Sequence, residues 1–329
     1  MSTTRTTSDG AEHASGPGAS RRVPYTVFGG PRWDRIRKFP YPITLLVLSR
    51  GDRLFRADLL AELLSQERGE VVWVEGHEPS ADLESLARDH PDVRFLLLKA
   101  PTTAGERINI GIAEARSPFV LCFWSDMRPA RLVPGQLESV EKSSAVCTIP
   151  LSRSARLQTI PSWQSPVWKR RKLSIAYRIP RQDGEVSLFP FDFCGIYNTE
   201  LFLRTGGYDP SLSNPYWQKL DFGFRCFLWG EKIAGTTQLA VTYTTAPPMD
   251  DSTPDQSYKL FFLKNMAVRM RSEMGTLPAR FILDYLVHSD ASPLYSLREF
   301  SAVRDWVRIH RFRFRRDPRE LILRWGDIA

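Results

Sequence analysis

The 329-residue chain has no apolar run approaching the roughly 18 residues that a membrane span requires. A bilayer-crossing helix is therefore not expected. Its start, MSTTRTTSDGAEHASGPGAS, lacks an apolar core, does not read as a signal peptide, and fits a disordered tail. Cysteine is scarce. Cys122, Cys147, Cys194 and Cys226 form no CxxC pair, so the two-residue spacings of a zinc site are missing. Each lies in an apolar or aromatic run, as buried reduced thiols of a cytoplasmic protein do. No internal repeat is present. The middle of the chain also lacks net charge. Of the total +8, residues 1–40 and 298–329 supply +4 each, which leaves 41–297 neutral. A neutral body argues against a nucleic-acid surface. The basic ends suit anionic membrane surfaces or acidic partners, or stand as solvated charge.

What is there is ordinary globular material, 42% hydrophobic and 25% charged, long enough to bury a large core. After an irregular, Pro-flanked lead-in (23–42, with Trp33 and the basic Arg32, Arg35, Arg37 and Lys38), apolar runs alternate with helical periodicity. Strands are predicted at 43–48, 71–75, 93–98 and 119–124. Helices are predicted at 54–66, at 80–89 with Ser80 as cap, and at 104–116. This alternation predicts a parallel, doubly wound α/β sheet whose strand carboxyl ends share one ligand-binding edge.

From residue 134 the pattern changes. A helix at 134–142 and a strand at 145–150 precede a stretch, 151–190, with little period and a basic cluster at Lys169, Arg170, Arg171 and Lys172. Strand-like pieces fill 232–245. The run PPMDDSTPD (247–255) marks a boundary, beyond which helices are expected. One covers 257–271. Another covers 294–316, with Arg304, Arg308, Arg311 and Arg315 as a basic stripe opposite Phe300, Val303, Trp306 and Val307.

The most informative stretch is FDFCGIYNTELFLRTGGYDPSLSNPYWQKLDFGFRCFLWG (191–230). A small-residue turn at Cys194 and Gly195 leads into a short helix. Adjacent glycines at Gly206 and Gly207 suit a turn whose φ angles other residues resist. An aromatic segment with Asp221 and Arg225 follows. Paired with GERINIGIAEARSPFVLCFWSD (105–126), this order resembles the family-two, inverting GT-A glycosyltransferases, over about 43–245.

The resemblance implies a mixed, mostly parallel Rossmann-like sheet flanked by helices. It divides the chain into a tail (1–22), the lead-in (23–42), a GT-A domain (43–250) and a C-terminal helical extension (251–329). It implies a nucleotide-contacting turn at Ser49 and Arg50 and a base- or ribose-reading acid at Glu75. RINIGIAEA (107–115) supplies Arg107 for the diphosphate, with Asn109 beside it. The family's Asp-x-Asp metal motif reads Trp124-Ser125-Asp126 here. Asp126 is then the ligand for Mg²⁺ or Mn²⁺, or Arg128 or the 169–172 cluster neutralises the diphosphate instead. GGYD (206–209) matches the acceptor-side turn through Gly206, Gly207 and Tyr208, and its Asp209 is a catalytic candidate beside Lys219 and Asp221. The Glu-Asp-x-Asp-Leu-x-x-Arg motif becomes Gln218, Lys219, Leu220, Asp221 and Phe222, ending at Arg225. A lysine at the base position is a poor base. Asp221 is then either a substituted base or a structural acid for Arg225. Trp217 either stacks on a sugar or packs the helix.

The expected activity is sugar transfer from a nucleoside-diphosphate sugar to a glycan, lipid or protein acceptor, with inversion. The alternative is a catalytically degenerate GT-A domain that binds a nucleotide or glycan, or serves as a scaffold. The expected location is the cytoplasm, with membrane contact at its inner face through the basic ends, and no nucleic acid as partner.

Overall fold

The six residues of ITLLVL are all buried, and so are those of FVLCFW. Runs of that kind form central strands covered on both faces. In the computed structural model, which describes residues 23–30, 41–50, 57–65, 69–79, 81–170, 172–288 and 292–328, they are β2 and β5 of a nine-stranded sheet. In chain order the elements begin β1 (Tyr25–Gly29), β2 (Ile43–Leu48), α1 (Ala57–Leu64), β3 (Gly69–Glu75), α2 (Leu83–Asp89) and β4 (Val93–Leu98). They continue α3 (Ala104–Glu114), β5 (Phe119–Trp124), β6 (Met127–Pro129), α4 (Pro134–Ser143) and β7 (Cys147–Arg153). A hairpin of β8 (Trp163–Lys169) and β9 (Lys172–Arg178) leads to β10 (Gly195–Asn198), α5 (Thr199–Thr205), α6 (Pro215–Leu228) and β11 (Ile233–Tyr243).

The sheet order is β1-β4-β3-β2-β5-β10-β7-β11-β6. Strands β4, β3, β2 and β5 are mutually parallel. Only β1, β10 and β6 run against the other six, so the sheet is mixed and mostly of one direction. The expected α/β class is the one observed. Helix starts are set by local chemistry. Thr103 and Glu106 form a reciprocal capping box on α3, with bonds of 3.1 and 2.8 Å. Asn214 caps α6 ahead of Pro215.

Several boundaries differ from those read in the sequence. The lead-in is not irregular throughout, because β1 pairs antiparallel with β4 along the sheet's edge. An edge strand tolerates Pro and Gly flanks, which is why its signal was weak. The stretch 151–190 holds the end of β7 and the β8–β9 hairpin; Pro166 inside β8 masks the strand pattern, yet a two-stranded hairpin accepts it. Helix α2 is capped by Asp82, whose carboxylate receives the Glu84 and Ser85 amides. Ser80, the 1–22 tail, Arg171 and the basic cluster at 32–38 lie outside the described residues.

The C-terminal part is not wholly helical. It comprises α7 (Gln256–Phe261), a π-helical turn (Phe262–Met266), a small hairpin of β12 (Arg269–Arg271) and β13 (Met274–Thr276), then α8 (Phe281–His288), α9 (Pro293–Ile309), α10 (Pro318–Leu323) and α11 (Trp325–Ile328). Helix α9 stops at Ile309, so Arg311 and Arg315 fall beyond it. No helix among the described residues is long and apolar enough to cross a membrane.

Candidate functional site

The chain winds from β2 outward to β3 and β4, then crosses back to β5 on the other side of β2. That reversal makes a topological switch point beyond the carboxyl ends of β2 and β5, where open α/β sheets usually form a ligand crevice. Ser49 and Arg50 follow β2, and Ser125 and Asp126 follow β5. The two ends are tied together: the Ser125 amide donates to the Leu48 carbonyl at 2.9 Å, and the Arg50 amide to Ser125 Oγ at 3.3 Å.

One wall of the crevice is built by Ser49, Glu75 and Arg107. Glu75 ends β3 and is buried. The Trp73 indole, two residues earlier on the same strand face, donates to Glu75 Oε1 at 2.9 Å. Arg107, in the first turn of α3, donates to the Ser49 carbonyl at 2.9 Å and to Thr102 Oγ1 at 3.2 Å. Burial raises the Glu75 carboxyl above the ordinary range, outweighing the opposing pull of Trp73, Ser49 and Arg107.

The other wall is a buried charge cluster around Arg50. Its Nε donates to Asp126 Oδ1 at 3.1 Å, and its Nη2 pairs with the Asp192 carboxylate. The guanidinium lies over the Trp124 ring, 4.4 Å from the centroid. Trp124 Nε1 donates to the Asp192 carbonyl at 2.8 Å. Tyr243 donates to Asp192 Oδ2 at 3.0 Å, and Thr245 to Asp126 Oδ2 at 3.1 Å. Burial alone would lower the Arg50 pKa, but Asp192 and Asp126 outweigh it and the pKa rises. Burial dominates at Asp192, whose carboxyl is raised despite Arg50 and Lys219. Asp192 and Phe193 both hold left-handed backbone angles, φ 48° and 61°. Two adjacent non-glycine residues in that region store strain, and the conformation aims the Asp192 side chain at Arg50.

Lys219 reaches this cluster from α6. It is buried, lies over the Phe189 and Phe193 rings, and pairs with Asp250. Asp250 also accepts from Tyr177 of β9 at 3.1 Å. Arg128 points elsewhere, to Asp58 and Glu62 of α1. Lys169 and Lys172, which pair across the β8–β9 hairpin, and Arg170 fall at its turn end.

The remaining candidates form a frame behind the crevice. Gly206 and Gly207, at φ 83° and 65°, let the chain leave α5 in a left-handed turn. Arg225 is buried and donates to the Thr205 carbonyl at 2.6 Å, the Gly207 carbonyl at 2.7 Å and Asp221 Oδ2 at 3.0 Å. Asn265 donates to Asp221 Oδ1 at 2.7 Å. Asn109 clamps the turn by donating to the Tyr208 carbonyl and accepting from its amide, at 2.7 and 2.9 Å. Tyr208 itself is buried against Phe193, Phe202 and Phe222. Gln218 joins the α3 start to this turn through the Gly105 amide and the Asp209 carbonyl. Asp209 pairs with Lys264. Trp217 packs on Tyr258 and Phe261 and donates to the Thr253 carbonyl at 3.0 Å.

Two cluster members escaped the sequence reading. Asp192 stands between two phenylalanines just before the Cys194-Gly195 turn, and nothing in that short run marks its left-handed backbone. Asp250 lay in a run read only as a boundary. The donor set does not fit a divalent cation. Both Asp126 and Asp192 are already engaged by one guanidinium and by hydroxyls, whereas Mg²⁺ or Mn²⁺ needs carboxylate oxygens turned to itself. Among the described residues no group of three or more His, Cys, Asp or Glu forms a cluster suited to a metal.

No family model matches the sequence, and no curated protein does. Solved structures resemble the chain. TarS of S. aureus matches at 13% identity over 82% of this chain with a TM-score of 0.46; the chain spans 43% of that protein's length. Its 1–349 fragment in complex with UDP-GlcNAc matches at 13% identity over 82% of this chain and 72% of that one, TM-score 0.48. GalNAc-T7 with UDP, GalNAc and Mn²⁺ matches at 13% identity over 82% of this chain and 57% of that one, TM-score 0.48.

Proposed function

We propose that the chain is a nucleotide-sugar glycosyltransferase of the GT-A type. The observation that carries this reading is the meeting of Ser49, Arg50, Glu75, Arg107 and Asp126 at the β2–β5 reversal point, in the chain order the motif resemblance requires. Glu75 and Ser49 receive the nucleoside, where a buried carboxylate accepts N–H or ribose O–H groups. Arg107 and Arg50 face the diphosphate. The acceptor hydroxyl attacks the anomeric carbon as the bond to the diphosphate oxygen breaks. The electron pair leaves with the nucleoside diphosphate, and the configuration inverts. The acceptor's proton passes to Asp250, the carboxylate of the cluster with most access, at 20% side-chain exposure. Lys219 holds that carboxylate in place. Asp221 belongs to the frame through Arg225 and Asn265. The acceptor is a glycan or a lipid-linked precursor, and the exposed basic face of α9 holds the protein at an anionic membrane surface.

The test is a thermal-shift panel of nucleoside diphosphates and their sugars. One of them should raise the melting temperature, and Glu75→Ala should remove that shift. With the matching sugar nucleotide and an acceptor extract, Asp250→Asn should slow diphosphate release by about 10²–10⁴-fold. No shift across the panel would end the reading. Binding without turnover in any acceptor mixture would favour the degenerate, nucleotide-binding alternative.

A further inference from the structure

We infer that Arg50 is the resident cation of this site, so that a nucleoside diphosphate binds here without a divalent metal. The inference rests on the nucleotide-binding reading above. Asp126 and Asp192 come from β5's end and from the turn before β10, far apart in sequence, and they meet across one guanidinium. Paired carboxylates at this sheet edge are what a divalent cation would need. Here the planar fork of arginine fills the space between them, with Nε toward Asp126 and Nη2 toward Asp192.

The substitution at the motif strengthens the point. The place of the first acid is taken by Trp124, whose ring lies 4.4 Å beneath the guanidinium carbon. The same residue that removes a metal ligand therefore supplies a cation–π platform for arginine. Its indole N–H also holds the strained Asp192 backbone, and Tyr243 holds the Asp192 carboxylate. Arg50 keeps 20% of its side chain exposed, and its Nη1 edge is turned to neither carboxylate. That edge is available to a phosphate oxygen. A second cation, Lys219, also acts on Asp192 while it is paired with Asp250, so the positive charge of the cluster comes from side chains.

The experiment is a Mn²⁺ titration of the full chain, read from the electron paramagnetic resonance signal of free Mn²⁺. Wild type should take up no stoichiometric Mn²⁺. Arg50→Gln, which takes the guanidinium from between the two carboxylates, should bind one equivalent at least about tenfold more tightly than wild type. The thermal shift given by the active nucleoside diphosphate should be the same in EDTA as in Mn²⁺. One Mn²⁺ bound per wild-type chain, a shift that vanishes in EDTA, or a folded Arg50→Gln with no gain in Mn²⁺ uptake would each overturn the inference. If Arg50→Gln does not fold, the wild-type titration decides alone. If no nucleoside diphosphate binds at all, the functional reading fails, while the metal titration still decides the role of Arg50.

Discussion

Lys219 and Asp221 are two residues apart on α6, and two helical steps turn a side chain through about 200°. That rotation separates their roles. Lys219 points to the crevice and Asp250, whereas Asp221 points back to Arg225 and Asn265. Asp209 likewise serves the frame. Burial opposes its charge, but the Lys264 ammonium and the Ser211 hydrogen bonds win and hold the carboxyl well below the ordinary 3.8. An acid with a depressed folded pKa stabilises the fold above its unfolded pKa, and that stability drains away as pH falls toward the folded value. Asp209→Asn leaves Lys264 without its partner and should cost about 3 kcal/mol at neutral pH. In urea melts the gap to wild type should be flat from about pH 7 to 5 and shrink between about pH 4 and 2. A gap that does not change over that range would remove the ion pair from the account. At this scale the sequence was half legible. Glu75, Arg107 and Asp126 showed as residues at strand ends or helix starts. Asp192 did not, because its importance comes from a backbone conformation and a partner 142 positions away.

Helices and strands differ in how plainly they were written. β2 and β5 were legible as unbroken apolar runs because both faces are covered. β1 and β8 were not, since edge and hairpin strands need no continuous apolar face and admit Pro or Gly. Helix α9 was legible in its buried half, where Phe300, Val303 and Val307 pack inward. Its outer half carries Arg298, Arg304 and Arg308, the last paired with Asp305, beside Leu294 and Ile309, which are 73% and 74% exposed. Arginines mixed with exposed aliphatic residues on one helix face suit a headgroup region, where each basic residue adds about 1 kcal/mol against anionic lipid. Vesicles containing phosphatidylserine should therefore pellet the protein, and neutral vesicles should not. Raising the salt toward 1 M, where the screening length falls to about 3 Å, should release it. Ile309→Glu should weaken the binding at low salt. Equal binding to neutral vesicles, or none to either, would leave α9 a solvated face.

Across the whole molecule, α6 is the shared wall. Every residue from Tyr216 to Leu228 is buried, which a helix achieves only when it is covered all round. The sheet covers one side. The C-terminal elements cover the other: Phe261 against Trp217 and Phe224, Trp325 against Phe227, and the Arg315 amide on the Leu228 carbonyl at 2.7 Å. The same elements deliver Lys264 to Asp209 and Asn265 to Asp221, so they complete the frame that holds the Gly206–Asp209 turn. A segment that supplies both apolar cover and buried polar partners is not a removable appendage. Cutting the chain after residue 250 would expose the aromatic face of α6 and leave Asp221 and Asp209 each short of a partner. The 329-residue chain should melt in one calorimetric transition, with calorimetric and van't Hoff enthalpies in agreement. The shortened chain should lose its near-ultraviolet circular dichroism and bind a hydrophobic dye. A soluble 1–250 chain that melts cooperatively and keeps its aromatic signal would show instead that α6 finds its cover within the sheet domain.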